Sequence, residues 1–163
     1  MARSVAKDTD AGEPVGGTTP DRRFRIVNWI GIIDQLASTK ANRVLRGHDL
    51  PLPQFVILNH FSHRLDEGKT VGGIARAMQQ LPPAVTKTTQ KLLAKGYLRE
   101  VQSTDDARSK LLFLTARGRT AHGKAIAALL PELAPAFAGW TTAELEQFWQ
   151  YLDRLKVWFD QNR

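Results

Sequence analysis

Three groups of residues have the types and spacing to do chemistry. The first is Ala84, Lys87, Thr88 and Lys91, which share one face if they lie on a helix, with Thr86 and Gln90 at its flanks. Lysines, hydroxyls and an amide on one face suit the DNA major groove. Ammonium groups neutralise phosphates, and hydroxyls and amides reach phosphates or base edges. Taken alone, the same face is better explained as a solvated helix surface, as most exposed charged helix faces are; the order of the elements around it is what favours DNA contact. Arg108 and Lys110, beside a polar turn, add cations that can reach the minor groove or the backbone, or simply decorate a hairpin tip. The second group is His60 and His63, three apart, a spacing that can place both imidazoles on one metal. No cysteine supports them, and Asp66 and Glu67 fall at the helix end, so no metal is assigned. The pair can instead titrate near neutral pH or line a pocket. His48 and His122 are expected at the surface. The third group, Asp105-Asp106, sits in a polar loop with no apolar pocket to separate two pKa values, and is taken as a turn. No G-x-S-x-G, P-loop or dinucleotide fingerprint is present. Neither an enzyme activity nor a cofactor is assigned.

The elements that must position these residues are mainly helical. Thr19-Pro20 is a helix start, with Thr as cap and Pro at the first helical position. Ile26, Trp29, Ile30, Ile33, Leu36, Ala37 and Val44 then keep helical spacing over about 21–46, with Gly47 as C-cap. Leu50-Pro51-Leu52-Pro53 breaks the chain. A second helix follows, with Phe55, Val56, Leu58, Asn59, Phe61 and Ser62 on its buried side. After the turn at Asp66-Glu67-Gly68-Lys69 comes a short helix over Thr70–Met78. A helix from about Pro83 to Lys95 follows, with Val85, Thr89, Leu92 and Leu93 inward and Gly96 at its end. Residues 97–101 and 110–115 are strands around a polar loop, hence a hairpin. A helix over 116–138, kinked at Pro131, precedes a last helix. That one opens with the capping box Thr141-Thr142-Ala143-Glu144 and carries the stripe Leu145, Phe148, Trp149, Leu152, Leu155 and Phe159.

Composition narrows the class. The 163 residues include 42% hydrophobic and 24% charged side chains, enough apolar surface for one packed domain with extra helices. No cysteine is present, so disulfides and thiolate metal sites are excluded. No apolar run approaches the roughly 20 residues a membrane helix needs. Residues 1–8 lack the apolar core of a secretory signal, and a cytoplasmic location is expected. The net charge is +7, and residues 51–115 carry most of it, with 9 basic against 5 acidic residues. A polyanion-binding surface therefore belongs in that segment.

Helix, helix, short helix, helix and a two-stranded hairpin make a winged helix-turn-helix. The ordered motifs resemble those of the MarR-type transcriptional regulators. Leu52-Pro53-Gln54-Phe55 with Leu58 resembles the start of that family's second helix. Thr70-Val71 with Ile74-Ala75 resembles the first helix of its helix-turn-helix. Val85-Thr86-Lys87, Leu92 and Lys95-Gly96-Tyr97-Leu98 resemble its recognition helix and exit. Asp106-Ala107-Arg108-Ser109 and Leu114-Thr115-Ala116-Arg117-Gly118 resemble its wing and the start of the next helix. The likeness extends over about 21–160.

The resemblance implies a mainly α fold with a small β-hairpin wing, a winged helix-turn-helix domain joined to a helical dimerisation platform. On this view 1–19 is a flexible tail, 20–50 and 116–163 form the dimerisation region, and 51–115 binds DNA. It implies a homodimer on a pseudo-palindromic operator of double-stranded DNA, acting as a ligand-responsive repressor. Ala84, Thr86, Lys87, Thr88, Gln90, Lys91, Arg108 and Lys110 are the DNA-binding candidates, and Asp106 would orient Arg108. Aromatic or phenolic effectors bind in this family between platform and winged domain, and Trp29, Ile33 and His60 are the candidate lining. No membrane partner is implied. Three positions depart from the family pattern. Ala107 stands where a second basic residue is common, Pro51 where a capping Thr is common, and Pro82-Pro83 where small polar residues open the recognition helix. The alternative is a winged-helix protein-interaction module that does not bind DNA.

Overall fold

The structure, a computed structural model, describes residues 21–62, 67–104 and 109–162. Eight elements follow in order: α1 (Arg22–Leu45), α2 (Leu52–Ser62), α3 (Val71–Ala77), α4 (Pro82–Ala94), β1 (Leu98–Gln102), β2 (Lys110–Leu114), α5 (Ala116–Leu133) and α6 (Thr142–Gln161). The chain divides into two compact units, one ending at Gln35 and one beginning at Leu36. The tail expected over 1–19 and the start at Thr19-Pro20 lie outside the described residues.

In the first unit Asp21 stands before α1. Its carboxylate accepts the Arg23 N–H at 2.7 Å and its carbonyl accepts the Arg25 N–H at 3.0 Å. These bonds satisfy donors that a helix start leaves without partners. Side chains of this unit, including Phe24, Trp29 and Ile33, stay exposed.

The second unit holds the core. Leu45, Leu50, Ile57, Leu58, Phe61, Ile74, Val85, Leu92 and Leu112 are fully buried. Gly47 is not the left-handed end of α1. A 3-10 turn over Arg46–His48 carries the chain on, and Asp49, at φ 48°, takes the left-handed conformation. An aspartate tolerates that region better than most side chains. Helix α2 buries Gln54, Ile57, Leu58 and Phe61, spaced by three and four. The expected inward set is partly corrected: Val56 and Asn59 are exposed, and Phe55 is half-buried against the ring of His122 at 5.1 Å. His122 itself is buried, not at the surface, on the α5 stripe Gly118, His122, Ala125 and Leu129.

Thr70 caps α3, accepting the Gly73 N–H at 3.0 Å. Strands β1 and β2 pair antiparallel from Leu98↔Leu114 to Gln102↔Lys110. Lys69 adds one isolated rung to β2, exchanging two backbone bonds of 3.0 and 2.9 Å with Leu112. The rung ties the segment before α3 to the base of the wing. Helix α5 runs through Pro131 to Leu133, and a 3-10 turn over Ala134–Phe137 takes the remainder of the expected 116–138 helix. The Thr141–Glu144 capping box is formed, and its backbone and hydroxyl bonds to Thr141 hold the Glu144 carboxyl below the usual carboxylate range. No residue of α6 is buried, and its expected stripe lies exposed or, at Leu152 and Leu155, half-buried.

The tightest joint lies where the wing returns to α5. Thr115 accepts the Gly118 N–H at 3.0 Å and donates its hydroxyl to the Gly96 carbonyl at 2.7 Å. Gly96, at φ 68°, makes the left-handed exit from α4. A Cβ at Gly118 would lie 2.2 Å from the Tyr97 carbonyl oxygen, whereas one at Gly123 would meet nothing within 4 Å. Gly118→Ala is therefore expected to destabilise by about 1–3 kcal/mol or more. Gly123→Ala, in the same helix, should stabilise by about 0.5–1 kcal/mol. Thermal unfolding of the two variants should show opposite shifts in Tm.

Candidate nucleic-acid interface

Helices α3 and α4 pack on each other through a tight turn. Gln79 takes φ 50°, and the Gln80 N–H reaches back to the Ala75 carbonyl at 2.9 Å. Helix α4 separates its faces as the spacing predicts. Val85, Thr89 and Leu92 are buried. Ala84, Lys87, Gln90 and Lys91 are exposed, and Thr86 and Thr88 are half-buried. Each threonine hydroxyl donates one turn back, Thr86 to the Pro82 carbonyl at 2.9 Å and Thr88 to the Ala84 carbonyl at 3.0 Å. Their oxygens keep lone pairs, so with these bonds intact each hydroxyl still has the capacity to accept a hydrogen bond from an outside donor. Lys87 and Lys91 extend as solvated cations, the chemistry that neutralises phosphates.

Among the described residues of the wing, Arg99 and Lys110 both have partners within the hairpin. Lys110 Nζ lies 2.6 Å from Glu100 Oε1 on the paired strand. Arg99, which no motif in the sequence singles out, holds its guanidinium 4.6 Å from the centre of the Phe113 ring. The two are directly opposite in the hairpin register, so their pairing follows once the register is fixed. Asp106, Ala107 and Arg108 lie outside the described residues.

A second feature is not legible from local pattern. Lys95, at the C-terminal cap of α4, donates from Nζ to the Asp49 carbonyl at 2.6 Å, to Asp49 Oδ1 at 2.8 Å and to Gln54 Oε1 at 3.0 Å. This joins the exit of α4 to the entry of α2 and satisfies the amide oxygen of a Gln54 that is only 5% exposed. Such a clasp fixes the angle at which α4 leaves the core.

Of the proposed effector lining, Trp29 and Ile33 are exposed on α1, and His60 is half-buried on α2. His63 lies outside the described residues. Among the described residues no group of three or more His, Asp or Glu side chains comes together. No helix among them is long and apolar enough to cross a membrane.

Lys95→Met keeps the length of the side chain but removes three charge-assisted bonds. It should lower stability by about 1–3 kcal/mol, because the Gln54 oxygen is left buried and unpaired. Urea unfolding should show a lower midpoint with an unchanged slope.

Comparison with known proteins places this geometry. Residues 48–109 match the model of the MarR family. Three solved structures share the fold. The transcriptional regulator BldR from Sulfolobus solfataricus is 23% identical, with 85% of this chain and 99% of that chain covered and a TM-score of 0.69. Apo MarR from E. coli is 18% identical over 80% and 96% of the two chains, with a TM-score of 0.68. MepR from S. aureus, solved as a DNA complex, is 19% identical over 85% and 99%, with a TM-score of 0.66. No curated protein matches by sequence. The matched segment spans the helix-turn-helix and runs into the wing, so residues 48–109 are similar to the MarR family, and the fold around them is the winged-helix fold of these solved structures.

Proposed function

We propose that this chain is a sequence-specific regulator of transcription that binds double-stranded DNA as a homodimer on a pseudo-palindromic operator, and that it represses until an effector releases it. One observation carries the reading: the face of α4 turned away from the core is made of Lys87, Lys91, Thr86, Thr88 and Gln90, on a helix-turn-helix followed by a wing. The DNA complex of the similarly folded MepR supports the same partner. Affinity would come mainly from phosphate contacts, and selectivity from the α4 side chains that reach base edges.

Dimerisation is supported by apolar surface that one chain leaves uncovered. Helix α6 exposes Phe148, Trp149, Trp158 and Phe159, and α1 exposes Phe24, Trp29 and Ile33. Aromatic side chains in such number are costly to leave in water and suit a two-fold interface. In this reading 20–50 and 116–163 make the platform, 51–115 is the DNA-binding domain, and 1–19 is a tail. Two recognition helices would enter successive major grooves roughly 34 Å apart. An aromatic or phenolic effector lined by Trp29, Ile33 and His60 would act by preferring a dimer with a different recognition-helix spacing. Only that difference in affinity shifts the population. Arg108, oriented by Asp106, and Lys110 would supply the wing contacts. The reading makes the protein a regulator, not an enzyme, acting in the cytoplasm.

The test is fluorescence anisotropy on DNA from upstream of the protein's own gene, against a shuffled duplex across a salt series. Preference for the native fragment is expected. Lys87→Ala and Lys91→Ala should each weaken binding and reduce the salt slope by roughly 0.9 for each phosphate no longer neutralised, with the dimer intact by sedimentation. Glu100→Gln should act in the opposite sense, strengthening binding by releasing Lys110. If the lysine variants bind as the parent does, the α4 face is not the contact surface and the interaction-module reading takes its place.

A further inference from the structure

Leu81, at the N-cap of α4, is 77% exposed, more than any other large hydrophobic residue described. Polar side chains are strongly preferred at this position because they accept a first-turn amide, and Leu81 makes no such bond. The next two residues, Pro82 and Pro83, have no N–H to offer. The two after them, Ala84 and Val85, both donate to the Leu81 carbonyl, at 3.0 and 3.3 Å. The first turn of α4 therefore presents no amide to a phosphate or a base acceptor, although a helix start is ordinarily a ready anion site. Its tip is instead an unbroken exposed run of apolar residues, Leu81, Pro82, Pro83 and Ala84.

In a helix-turn-helix it is the N-terminal part of the recognition helix that faces the base edges. The one apolar group that a base pair displays in the major groove is the thymine C5-methyl. We propose that Leu81 is a specificity-determining residue that packs against a thymine methyl in each half-site, so that the tip of α4 selects sequence by apolar contact. The inference rests on the DNA-binding reading above. It assigns the tip a partner distinct from that of the Lys87/Lys91 face, which neutralises charge whatever the sequence.

Uracil keeps every hydrogen-bonding group of thymine and lacks only the methyl, so it isolates the contact. Duplexes enriched from a randomised pool by the full chain would be resynthesised with deoxyuridine for thymidine, one symmetric pair of positions at a time. At one pair of positions binding should fall about three- to tenfold, and at the others change little. Leu81→Ser should bind the thymidine duplex more weakly and lose the distinction between the two bases at that position, while Leu81→Met should retain it. The Leu81 side chain is exposed and forms no cap bond, so these variants fold. Indifference of the parent protein to deoxyuridine at every position would overturn the proposal. So would undiminished discrimination by Leu81→Ser. Failure to enrich any duplex would bring down the DNA-binding reading, and this inference with it.

Discussion

The approach of α5 to the end of α4 is the constraint on which the rest of this molecule depends. At Gly118 the α5 backbone passes so near the Tyr97 carbonyl that no side chain fits between them. The Thr115 hydroxyl, placed at the same point, bonds both to the Gly96 carbonyl and to the first turn of α5. Three elements meet there: the exit of α4, the root of the hairpin and the start of α5. Leu98 and Leu114 close the hairpin at its base with both side chains buried. The direction of the wing is thus set by the same few atoms that fix where α4 ends.

Lys95 holds the other side of this joint. Its ammonium reaches across to Asp49 and Gln54, so the end of α4 is anchored to the entry of α2 as well as to α5. Side chains on the outer face of α4 inherit that rigidity. Lys87 and Lys91 can be long and solvated because the helix bearing them is held by contacts at its far end and along its buried stripe of Val85, Thr89 and Leu92.

Much of this is legible in the sequence, for identifiable reasons. Helix α4 alternates polar and apolar residues at helical spacing, so its two faces separate on inspection. The Thr141–Glu144 box and the hairpin around a polar loop are local signals, and they survive folding intact. Helix α2 is harder. Phe55, Val56, Ile57, Leu58 and Phe61 are apolar almost all round, and periodicity alone cannot choose the inward face. His122 is misplaced at the surface for the opposite reason: the buried stripe of α5 includes glycine and alanine, and gives little apolar contrast to read. The Lys95 clasp joins residues more than forty positions apart, and the Lys69 rung to Leu112 is likewise non-local. No pattern within a window of sequence carries either.

The two prolines that open α4 have a thermodynamic consequence for the molecule before it meets any partner. Each ring confines φ near its helical value, so the unfolded chain has fewer conformations to surrender at this point. The end of a helix, which ordinarily frays, is here ordered in advance. A rigid tip loses little freedom on docking, and little of the contact energy is then offset by ordering it. The same stiffness removes the capacity to adapt. A surface that cannot rearrange requires its counterpart to deform, and ligands differing in deformability are then separated by elastic cost as well as by direct contact.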